Sequence, residues 1–299
     1  MGYVIAIDVG GTKIAASAVD SQGNARAKIR VATEQHDTVR SITQIAELAH
    51  RATEESGISW SSISAVGVAV PGIYHAATGR VWAPNLPGWD HIPLRYELAG
   101  KLPVRIVLDS DRAAYVTGEQ WLGVARGLTD VIFLAVGTGI GAGIISGGRL
   151  IRGAGDIAGA VGWFALDPRA KEIYKRVGCF EAEAAGPSLA RRAGGGITTE
   201  AIIERARQGD AASRQIVDET VRYLAMGVAN LVSALNPQMI VMGGGLMQAG
   251  GLFLEPLRHE MLQWAQPIAA KQVRIELSAL GEDAGLLGAA RLAFLGSEG

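Results

Sequence analysis

Short runs of β-branched and small apolar residues, separated by turns, dominate the first third of the chain. Runs of strand length and composition occupy residues 4–9, 14–19, 25–31, 63–70 and 104–108. Apolar residues recur at helical spacing over residues 38–56, and Gly57 supplies a stop signal. Residues 82–89 have the composition of a loop, and another helical pattern ends near Gly123. The predicted order is three strands, then helix, strand, helix, strand and helix in turn.

The same arrangement begins again in the second part of the chain. Strand-like runs occupy residues 131–136, 141–146, 149–151, 239–242 and 273–277. Helical patterns cover residues 211–235 and 283–294, whereas residues 152–210 are irregular and rich in Ala, Gly and Arg. The alternation predicts an α/β fold in which two copies of a sheet-plus-helices unit face each other across a cleft.

Composition narrows the class of protein. The chain has 299 residues, a length typical of two domains, with 48% hydrophobic residues, 19% charged residues and a net charge of −1. The sequence has no basic cluster for nucleic acid and no apolar stretch of the roughly 18 to 20 residues that a membrane span needs. It opens directly on a strand, without a signal peptide. A single cysteine, Cys179, excludes an internal disulfide and favours a reducing cytoplasm.

Glycine turns follow several of the predicted strands. Residues 8–13 (D-V-G-G-T-K) form a strand–turn–strand in which Gly10 and Gly11 expose backbone N–H groups. Thr12 adds a hydroxyl, and Asp8 can hold a hydrated Mg²⁺. A plain hairpin with an acid at its rim is the alternative interpretation. Further glycine turns occur at residues 137–139 and 243–245, so the pattern indicates repeated phosphate-binding loops.

Four motifs in order resemble the ROK family (repressors, open reading frames, kinases) of the actin- and hexokinase-like ATPases. They are D-V-G-G-T-K at 8–13, G-T-G-I-G-A-G at 137–143, L-N-P-Q-M-I-V-M-G-G-G at 235–245 and L-G-E-D-A-G-L-L-G-A-A at 280–290. The resemblance implies two RNase H-like lobes around a central cleft. Residues 1–118 and 286–299 would form the phosphate- and sugar-binding lobe. Residues 119–285 would form the nucleotide- and sugar-binding lobe, with a part in dimerisation.

The resemblance also implies ATP and Mg²⁺ as cofactors and gives each glycine turn a role. Asp8 would orient Mg²⁺ through water. The nucleotide and its phosphates would lie against Asp8, Gly10, Gly11, Thr12, Lys13, Gly137, Thr138, Gly139, Gly244 and Gly245. Taken singly, each of these turns is equally consistent with a structural loop.

Asp111 is the predicted catalytic residue. The family carries an aspartate in a pattern close to E-N-D-A-N-A-A-x-x-x-G-E, and residues 109–119 (D-S-D-R-A-A-Y-V-T-G-E) place Asp111 on it. A carboxylate within reach of the attacking hydroxyl can take its proton as the bond to phosphorus forms. The alternative is helix capping by Asp111, which Ser110 could perform equally well; Asp109 is the second choice of base. Ser110 also replaces an asparagine that contacts sugar in the family.

The sugar side departs from the family pattern. Residues 85–89 (N-L-P-G-W) match its sugar loop, with Asn85 as a substrate contact. The family's G-E-x-G-H becomes G-A-V-G-W at 159–163, so Ala160 replaces the acid and Trp163 the histidine. A sugar hydroxyl left without a partner costs roughly 1–3 kcal/mol. Either glucose is then a poor substrate, or the true substrate lacks or alters the groups that the missing acid and histidine recognise. A modified hexose or a cyclitol, stacked on Trp163, is therefore the alternative to an ordinary hexose, and Glu181 is a further predicted substrate contact.

The family's zinc loop is also altered. The family pattern is C-x-C-G-x-x-G-C-x-E, and residues 171–181 here read K-E-I-Y-K-R-V-G-C-F-E. Of the cysteines and the acid in that pattern, only Cys179 and Glu181 are present. Because a structural zinc site needs four ligands, we predict no zinc. Packing of Trp163, Phe164, Tyr174 and Phe180 is expected to hold the loop instead. The glycine- and alanine-rich residues 152–160 receive no chemical role.

The resulting hypothesis is an ATP-dependent, glucokinase-like sugar kinase. It would phosphorylate the primary 6-OH of a hexose or hexose-like sugar, with no nucleic-acid or membrane partner, and would act as a cytoplasmic homodimer. A non-catalytic sugar or nucleotide sensor is the main alternative, since the family includes repressors. Those carry an N-terminal helix-turn-helix, whereas this chain begins with the phosphate strand. A donor such as polyphosphate is a third possibility.

Overall fold

A computed structural model gives the structure of residues 2–297, which divide into two compact units. The first unit contains residues 2–126, 152–158 and 282–297, and the second contains Gly127–Ile151 and Gly159–Gly281. The predicted lobes have other bounds: the first was expected to comprise residues 1–118 and 286–299, and the second, residues 119–285, included residues 152–158. The functions assigned to the lobes stay predictions.

The first unit is built on a five-stranded sheet. The strands of this sheet are β1 (Tyr3–Val9), β2 (Lys13–Asp20), β3 (Ala25–Ala32), β4 (Ile63–Val70) and β7 (Arg105–Ser110). A separate small hairpin is formed by β5 (Ile73–His75) and β6 (Arg80–Trp82). The sheet order is β3-β2-β1-β4-β7. Strands β1, β4 and β7 are parallel; β2 is antiparallel to β1, and β3, which is antiparallel to β2, runs again in the direction of β1. The carboxyl ends of β1, β4 and β7 therefore share one edge, where Asp8 and Ser110 lie.

Four helices accompany this sheet: α1 (Thr38–Ser56), α2 (Leu94–Ala99), α3 (Asp111–Leu122) and α11 (Ala284–Ser297). Asp37 caps α1 by accepting hydrogen bonds from two backbone N–H groups, and Gly57 ends it with φ of 68°. That left-handed conformation favours glycine because a Cβ would crowd the backbone. The predicted bounds of α1 are confirmed.

Helix α11 lies unusually close to both the sheet and α3. A Cβ built on Gly67 of β4 would be 2.1 Å from the carbonyl oxygen of Ala289, and one on Gly288 would be 1.8 Å from that of Ala114. Both positions therefore need glycine for backbone approach rather than for turn geometry. The contact matters for the site because the first turn of α11 reaches Asp8.

The second unit repeats the sheet of the first. Its strands are β8 (Val131–Val136), β9 (Ile140–Ser146), β10 (Arg149–Leu150), β11 (Met239–Gly243) and β12 (Arg274–Leu277). Their order, β10-β9-β8-β11-β12, is that of the first sheet, with β8, β11 and β12 parallel. The predicted α/β class with two copies of one unit is confirmed.

Seven helices cover the second sheet: α4 (Tyr174–Val177), α5 (Cys179–Ala184), α6 (Gly186–Arg192), α7 (Thr199–Arg207), α8 (Ala211–Leu235), α9 (Gly250–Met261) and α10 (Pro267–Gln272). Helix α8 has the predicted bounds and ends at Asn236, whose φ is 44°. The expectation of irregular structure through residue 210 is wrong for α4 to α7, which are short. Over residues 2–297 no helix has the length and apolarity that a membrane crossing requires.

Candidate active site

Asp8 and Asp111 meet at the carboxyl edge of the first sheet. Asp8 lies near the end of β1 and pairs in register with Ala69 of β4. Asp111 begins α3 directly after β7, the other neighbour of β4. The sheet topology thus brings together two acids that are about a hundred positions apart in the sequence. The two side chains are partly buried.

The electrostatics of this acid pair are unfavourable for two negative charges. Burial, and then the negative charge of Asp111, raise the pKa of Asp8 from 3.8 to about 7, against the lowering effect of Lys13 and Arg30. Burial also raises the pKa of Asp111 to about 6. The pKa of the Tyr115 hydroxyl is raised well above its ordinary value by burial and by both acids. Closely placed carboxylates fit a hard divalent cation, whose charge would relieve their repulsion.

The first turn of α11 lies directly against Asp8. A Cβ built on Gly285 would be 2.3 Å from Oδ2 of Asp8, so only glycine admits this approach. Helix N-termini carry a partial positive charge that stabilises a carboxylate. Gly285 lies in the motif at residues 280–290, but its role beside Asp8 was not predicted from the sequence.

Ser110, rather than Asp111, caps α3. The Ser110 hydroxyl oxygen accepts a hydrogen bond from the Ala113 N–H at 3.3 Å, while Oδ1 of Asp111 accepts one from the Arg112 N–H at 2.7 Å. The structural alternative for Asp111, helix capping, is therefore wrong. The same observation gives Ser110 a structural role beside its predicted contact with substrate.

Neighbouring residues hold the first glycine turn in place. The Gly10 N–H donates to the Lys13 carbonyl at 2.9 Å. Beyond the end of β3, the Thr33 hydroxyl donates to the Gly10 carbonyl at 2.7 Å, and its N–H donates to the Thr12 carbonyl at 3.0 Å. Gln35 donates to the Gly11 carbonyl. Thr33 was missed in the sequence, where nothing marks a hydroxyl more than twenty positions from the turn.

Lys13 takes part in an ion-pair group beside this turn. Its Nζ lies 3.0 Å from Oε2 of Glu282, which also accepts from Arg30 at 3.0 Å. Arg30 and Lys28 further pair with Asp283. Both Lys13 and Thr12 are exposed. Their contact with phosphate stays a prediction.

Asn85 is exposed on a loop that a buried tryptophan holds in place. The Ala83 N–H donates to the Trp89 carbonyl at 2.9 Å, which closes the loop. The Trp89 indole N–H donates to the Ser41 hydroxyl at 3.0 Å, which ties the loop to α1. The backbone of the loop that carries Asn85 is thereby tied to the first unit.

Arg152 pairs with Asp109, a buried acid two positions before the predicted catalytic residue. Its Nε and Nη2 lie 3.0 and 2.6 Å from Oδ2 of Asp109. Asp156 accepts the Ala76 N–H at 3.0 Å, a second link to the first unit. The ion pair gives Arg152 a structural contact that the sequence did not indicate; the expectation that residues 152–160 have no chemical role stays a prediction. Because Asp109 is engaged in this ion pair, it is the weaker candidate for the base.

In the second unit, two glycine turns adjoin at the ends of β8 and β11. The Gly137 N–H donates to the Gly139 carbonyl at 3.0 Å, and Thr138 is exposed at the tip. Gly244 has φ of 91°, and a Cβ on it would be 2.5 Å from the Val136 carbonyl oxygen. A Cβ on Gly137 would be 3.5 Å from the Gly245 nitrogen. The structure thus brings together the predicted nucleotide residues of this unit.

Glu181 contacts the first of these two turns. Its Oε2 accepts the Ile140 N–H at 2.8 Å, and a Cβ on Gly139 would be 2.7 Å from the same oxygen. Burial raises the pKa of the Glu181 carboxyl, although the hydrogen bond from Ile140 lowers it. Its predicted contact with sugar stays a prediction.

Trp163 does not pack in the way the sequence suggested. It closes a 3-10 helix, Val161–Trp163, and is 58% exposed. Phe164 and Phe180 do stack, with ring centroids 6.3 Å apart, and Tyr174 is buried. The expected aromatic packing is therefore wrong for Trp163, whose indole is left accessible to a ligand.

An ionic cluster occupies the segment where the family carries its zinc loop. The cluster consists of Asp167, Arg169, Lys171, Tyr174, Glu183 and Arg192. The Tyr174 hydroxyl donates to both Asp167 and Glu183, at 2.7 and 2.5 Å. Burial raises the pKa of Glu183, but hydrogen bonds from Lys171 and Tyr174 outweigh that effect and hold this pKa below its ordinary value. Within residues 2–297, no three His, Cys, Asp or Glu side chains form a metal-binding group.

Comparisons with known proteins agree with this geometry. The chain is 30% identical to a glucokinase of Thermotoga maritima, over 97% of this chain and 96% of that protein. It is 32% identical to an N-acetylmannosamine kinase of Escherichia fergusonii, over 97% of both.

Solved structures give the same result. A ROK hexokinase from Thermus thermophilus matches with a TM-score of 0.86 and 32% identity, over 99% of both chains. A ROK family glucokinase from Streptomyces griseus, solved with glucose and AMPPNP, matches with a TM-score of 0.81 and 30% identity, over 98% of this chain and all of that one. The predicted RNase H-like, actin-like ATPase fold is thereby confirmed. A family model for the ROK family matches residues 4–294, and the chain belongs to that family.

Proposed function

We propose that this chain, a sugar kinase of the ROK family, transfers the γ-phosphoryl group of ATP to the primary 6-OH of a hexose-like sugar, with Asp111 as general base. The observation that carries the proposal is the acid pair of Asp8 and Asp111 at the carboxyl edge of the first sheet. Phosphoryl transfer needs positioning, charge neutralisation and a base, and little covalent chemistry.

Each acid has a separate part in the proposal. Asp8 would hold Mg²⁺ through water, and the bound ion would neutralise phosphate charge as transfer proceeds. Asp111 would accept the proton of the attacking hydroxyl. Its raised pKa, about 6, makes it a better base than an ordinary aspartate and still leaves it ionised at neutral pH. Gly10 to Lys13 and Gly137 to Gly139 would contribute to phosphate binding, and Gly244 and Gly245 would accept the adenosine end.

The substrate we propose is a hexose derivative rather than glucose. Two relatives bear the names glucokinase and N-acetylmannosamine kinase, which refer to different hexoses. Here Ala160 and Trp163 cannot supply the acid and imidazole contacts of the family pattern, and Ser110 is occupied as a helix cap. Trp163, exposed by 58%, offers an apolar face for stacking on a sugar that lacks or alters those hydroxyls.

A coupled assay of ADP release tests the proposal. The panel contains glucose, mannose, their N-acetyl and deoxy forms, anhydrosugars and cyclitols, each with MgATP and then with polyphosphate. We expect turnover with MgATP and a higher kcat/KM for at least one modified hexose than for glucose. A submillimolar KM for glucose with no better substrate would overturn the substrate proposal alone. Nucleotide and sugar binding without turnover of any compound would favour a sensor instead.

A further inference from the structure

The amino-terminal half of α1 makes hydrogen bonds to two segments that support predicted substrate contacts. One is the chain between β3 and α1, residues 33–37, which holds the first glycine turn. The other is the Asn85 loop, residues 83–89. All of these residues belong to the first unit. One helix therefore connects the supports of two predicted sites.

Ser41, in the first turn of α1, holds the Asn85 loop through an indole. Its hydroxyl oxygen accepts the Trp89 indole N–H at 3.0 Å, and the hydroxyl itself donates to the Thr38 carbonyl at 2.8 Å. The one proton of the hydroxyl is thus used within the helix, and a lone pair is left for the indole. Ser41 and Trp89 are 2% and 3% exposed. Without the serine hydroxyl, the indole N–H would be a buried donor with no acceptor.

A glycine gives the Asn85 loop a second contact with α1. Gly88 has φ of 78°, and a Cβ built on it would lie 2.2 Å from Oγ1 of Thr38. Within the loop, the Leu86 N–H donates to the Ala83 carbonyl at 2.9 Å. Because the loop is closed on itself, this contact and the indole hydrogen bond together restrain the backbone that carries Asn85.

Gln44, one turn further along α1, holds the segment that supports the first glycine turn. Its Oε1 accepts the Glu34 N–H at 3.0 Å, and its Nε2 donates to the Ala32 carbonyl at 2.8 Å. These two bonds flank Thr33, whose hydroxyl and N–H in turn donate to two carbonyls of the glycine turn. The amide of Gln44 therefore fixes the place from which Thr33 reaches that turn.

We propose that Ser41 and Gln44 are positioning residues, one for each substrate of the kinase. Ser41 places the Asn85 loop through Trp89, and Gln44 places the first glycine turn through Thr33. Removing either side chain leaves one segment to be ordered by its own ligand, so affinity falls for that ligand alone. The inference rests on the proposed function, because it assumes that the loop contacts sugar and that the turn contacts phosphate.

The test compares Ser41→Ala with Gln44→Ala. Calorimetry measures binding of Mg-AMPPNP, and steady-state kinetics give the KM of the best sugar. We expect Ser41→Ala to raise the sugar KM about fivefold or more, as for loss of one buried hydrogen bond, and to change nucleotide affinity less than about twofold. Gln44→Ala should show the reverse pattern. Glu47→Ala, at an exposed position of the same helix, is the matched control and should behave as wild type.

Hydrogen exchange tests the two supports without any substrate. Ser41→Ala should speed exchange of the backbone amides in residues 83–89 about fivefold or more and leave residues 10–13 unchanged, whereas Gln44→Ala should do the opposite. If Ser41→Ala does not fold, Trp89→Phe removes the same hydrogen bond from its other end and should raise the sugar KM alone. Where all variants fold, Ser41→Ala should cost less in a Trp89→Phe background than in wild type.

The outcomes separate this inference from the proposed function. Loss of both affinities in each variant, or a lower kcat with both affinities unchanged, would show that α1 is merely structural and would overturn the inference. Unchanged exchange in both segments would overturn it as well. If exchange shifts as expected but the wild type neither binds Mg-AMPPNP nor phosphorylates any sugar of the panel, the proposed function fails, and the inference fails with it.

Discussion

Replacing Asp8 with asparagine should stabilise the metal-free protein while it removes activity. Folding raises the pKa of Asp8 from 3.8 to about 7, so the native state disfavours its charge. Each pKa unit corresponds to about 1.4 kcal/mol, which sets an upper limit of about 4 kcal/mol for the penalty at high pH. Part of it is repulsion from Asp111. An uncharged amide of the same shape avoids the penalty, so we expect Asp8→Asn to gain about 2–4 kcal/mol at pH 8.

The stability gained by Asp8→Asn should increase as the pH rises. Below pH 3.8 the carboxyl is protonated in both folded and unfolded chains, and Asp8→Asn has no advantage. Between about pH 4 and 7 the unfolded chain ionises more readily than the folded one, so wild type loses stability relative to the variant. Above pH 7 the difference is complete. Lys13, Arg30, Asp111 and Tyr115 are the charged or titratable groups that act with Asp8.

Thermal unfolding in the presence of a chelator at pH 4, 6 and 8 provides the assay. Because bound Mg²⁺ would offset the repulsion, added Mg²⁺ should raise the midpoint of wild type and leave that of Asp8→Asn unchanged. Asp90→Asn, at an acid whose side chain is 82% exposed, is the control and should not shift the midpoint. An Asp8→Asn midpoint equal to or below that of wild type at pH 8, or a gain that is the same at all three pH values, would refute the reasoning.

Three other substitutions, one of them paired with a control variant, test separate parts of the structure. Asp111→Asn should lower kcat by at least about 100-fold with a fold unchanged by circular dichroism; near-normal turnover would exclude it as the base. Gly288→Ala should destabilise by about 1–3 kcal/mol, since its Cβ would lie 1.8 Å from a backbone oxygen of α3. Gly251→Ala, in α9 with open space around it, is its control and should be neutral or stabilising. Unfolding in urea measures the stability of both variants. Glu183→Gln should cost about 1–3 kcal/mol, because it removes the buried charge bound by Lys171 and Arg192 and leaves them with Asp167 and Glu219; an unchanged urea midpoint would show that the cluster is dispensable.

The sequence was sufficient for the elements that have a strong local signal. Helix α1 has an apolar face at helical spacing, an aspartate cap and a glycine stop, and its bounds follow from these. The glycine turns were found because three of them follow predicted strands and recur in the order of the family motifs. Helices α4 to α7 were not found, since they have four to nine residues and lie in a stretch where Ala, Gly and Arg blur any periodicity.

Contacts between distant parts of the chain could not be predicted at all. Arg152 pairs with Asp109 across 43 positions, and Glu181 reaches Ile140 across 41. Nothing local distinguishes such an arginine or glutamate from a solvated one. The resemblance to the family supplied a sugar contact for Glu181, whereas the geometry shows a backbone N–H as its partner. A role carried over by resemblance therefore has to be tested against what the side chain touches.

The two predicted phosphate-binding turns are held by different kinds of hydrogen bond, so substitutions in their supports should differ in effect. Thr33 and Gln35, after the edge strand β3, hold the first turn by donating to its carbonyl oxygens. The second is held at one end by a carboxylate that accepts a backbone N–H. Neutral hydrogen bonds to a carbonyl contribute about 1 kcal/mol, and a bond to a carboxylate contributes up to about 3. Thr33→Val should therefore weaken nucleotide affinity less than Glu181→Ala does, and the reverse order would show that the first turn carries more of the binding.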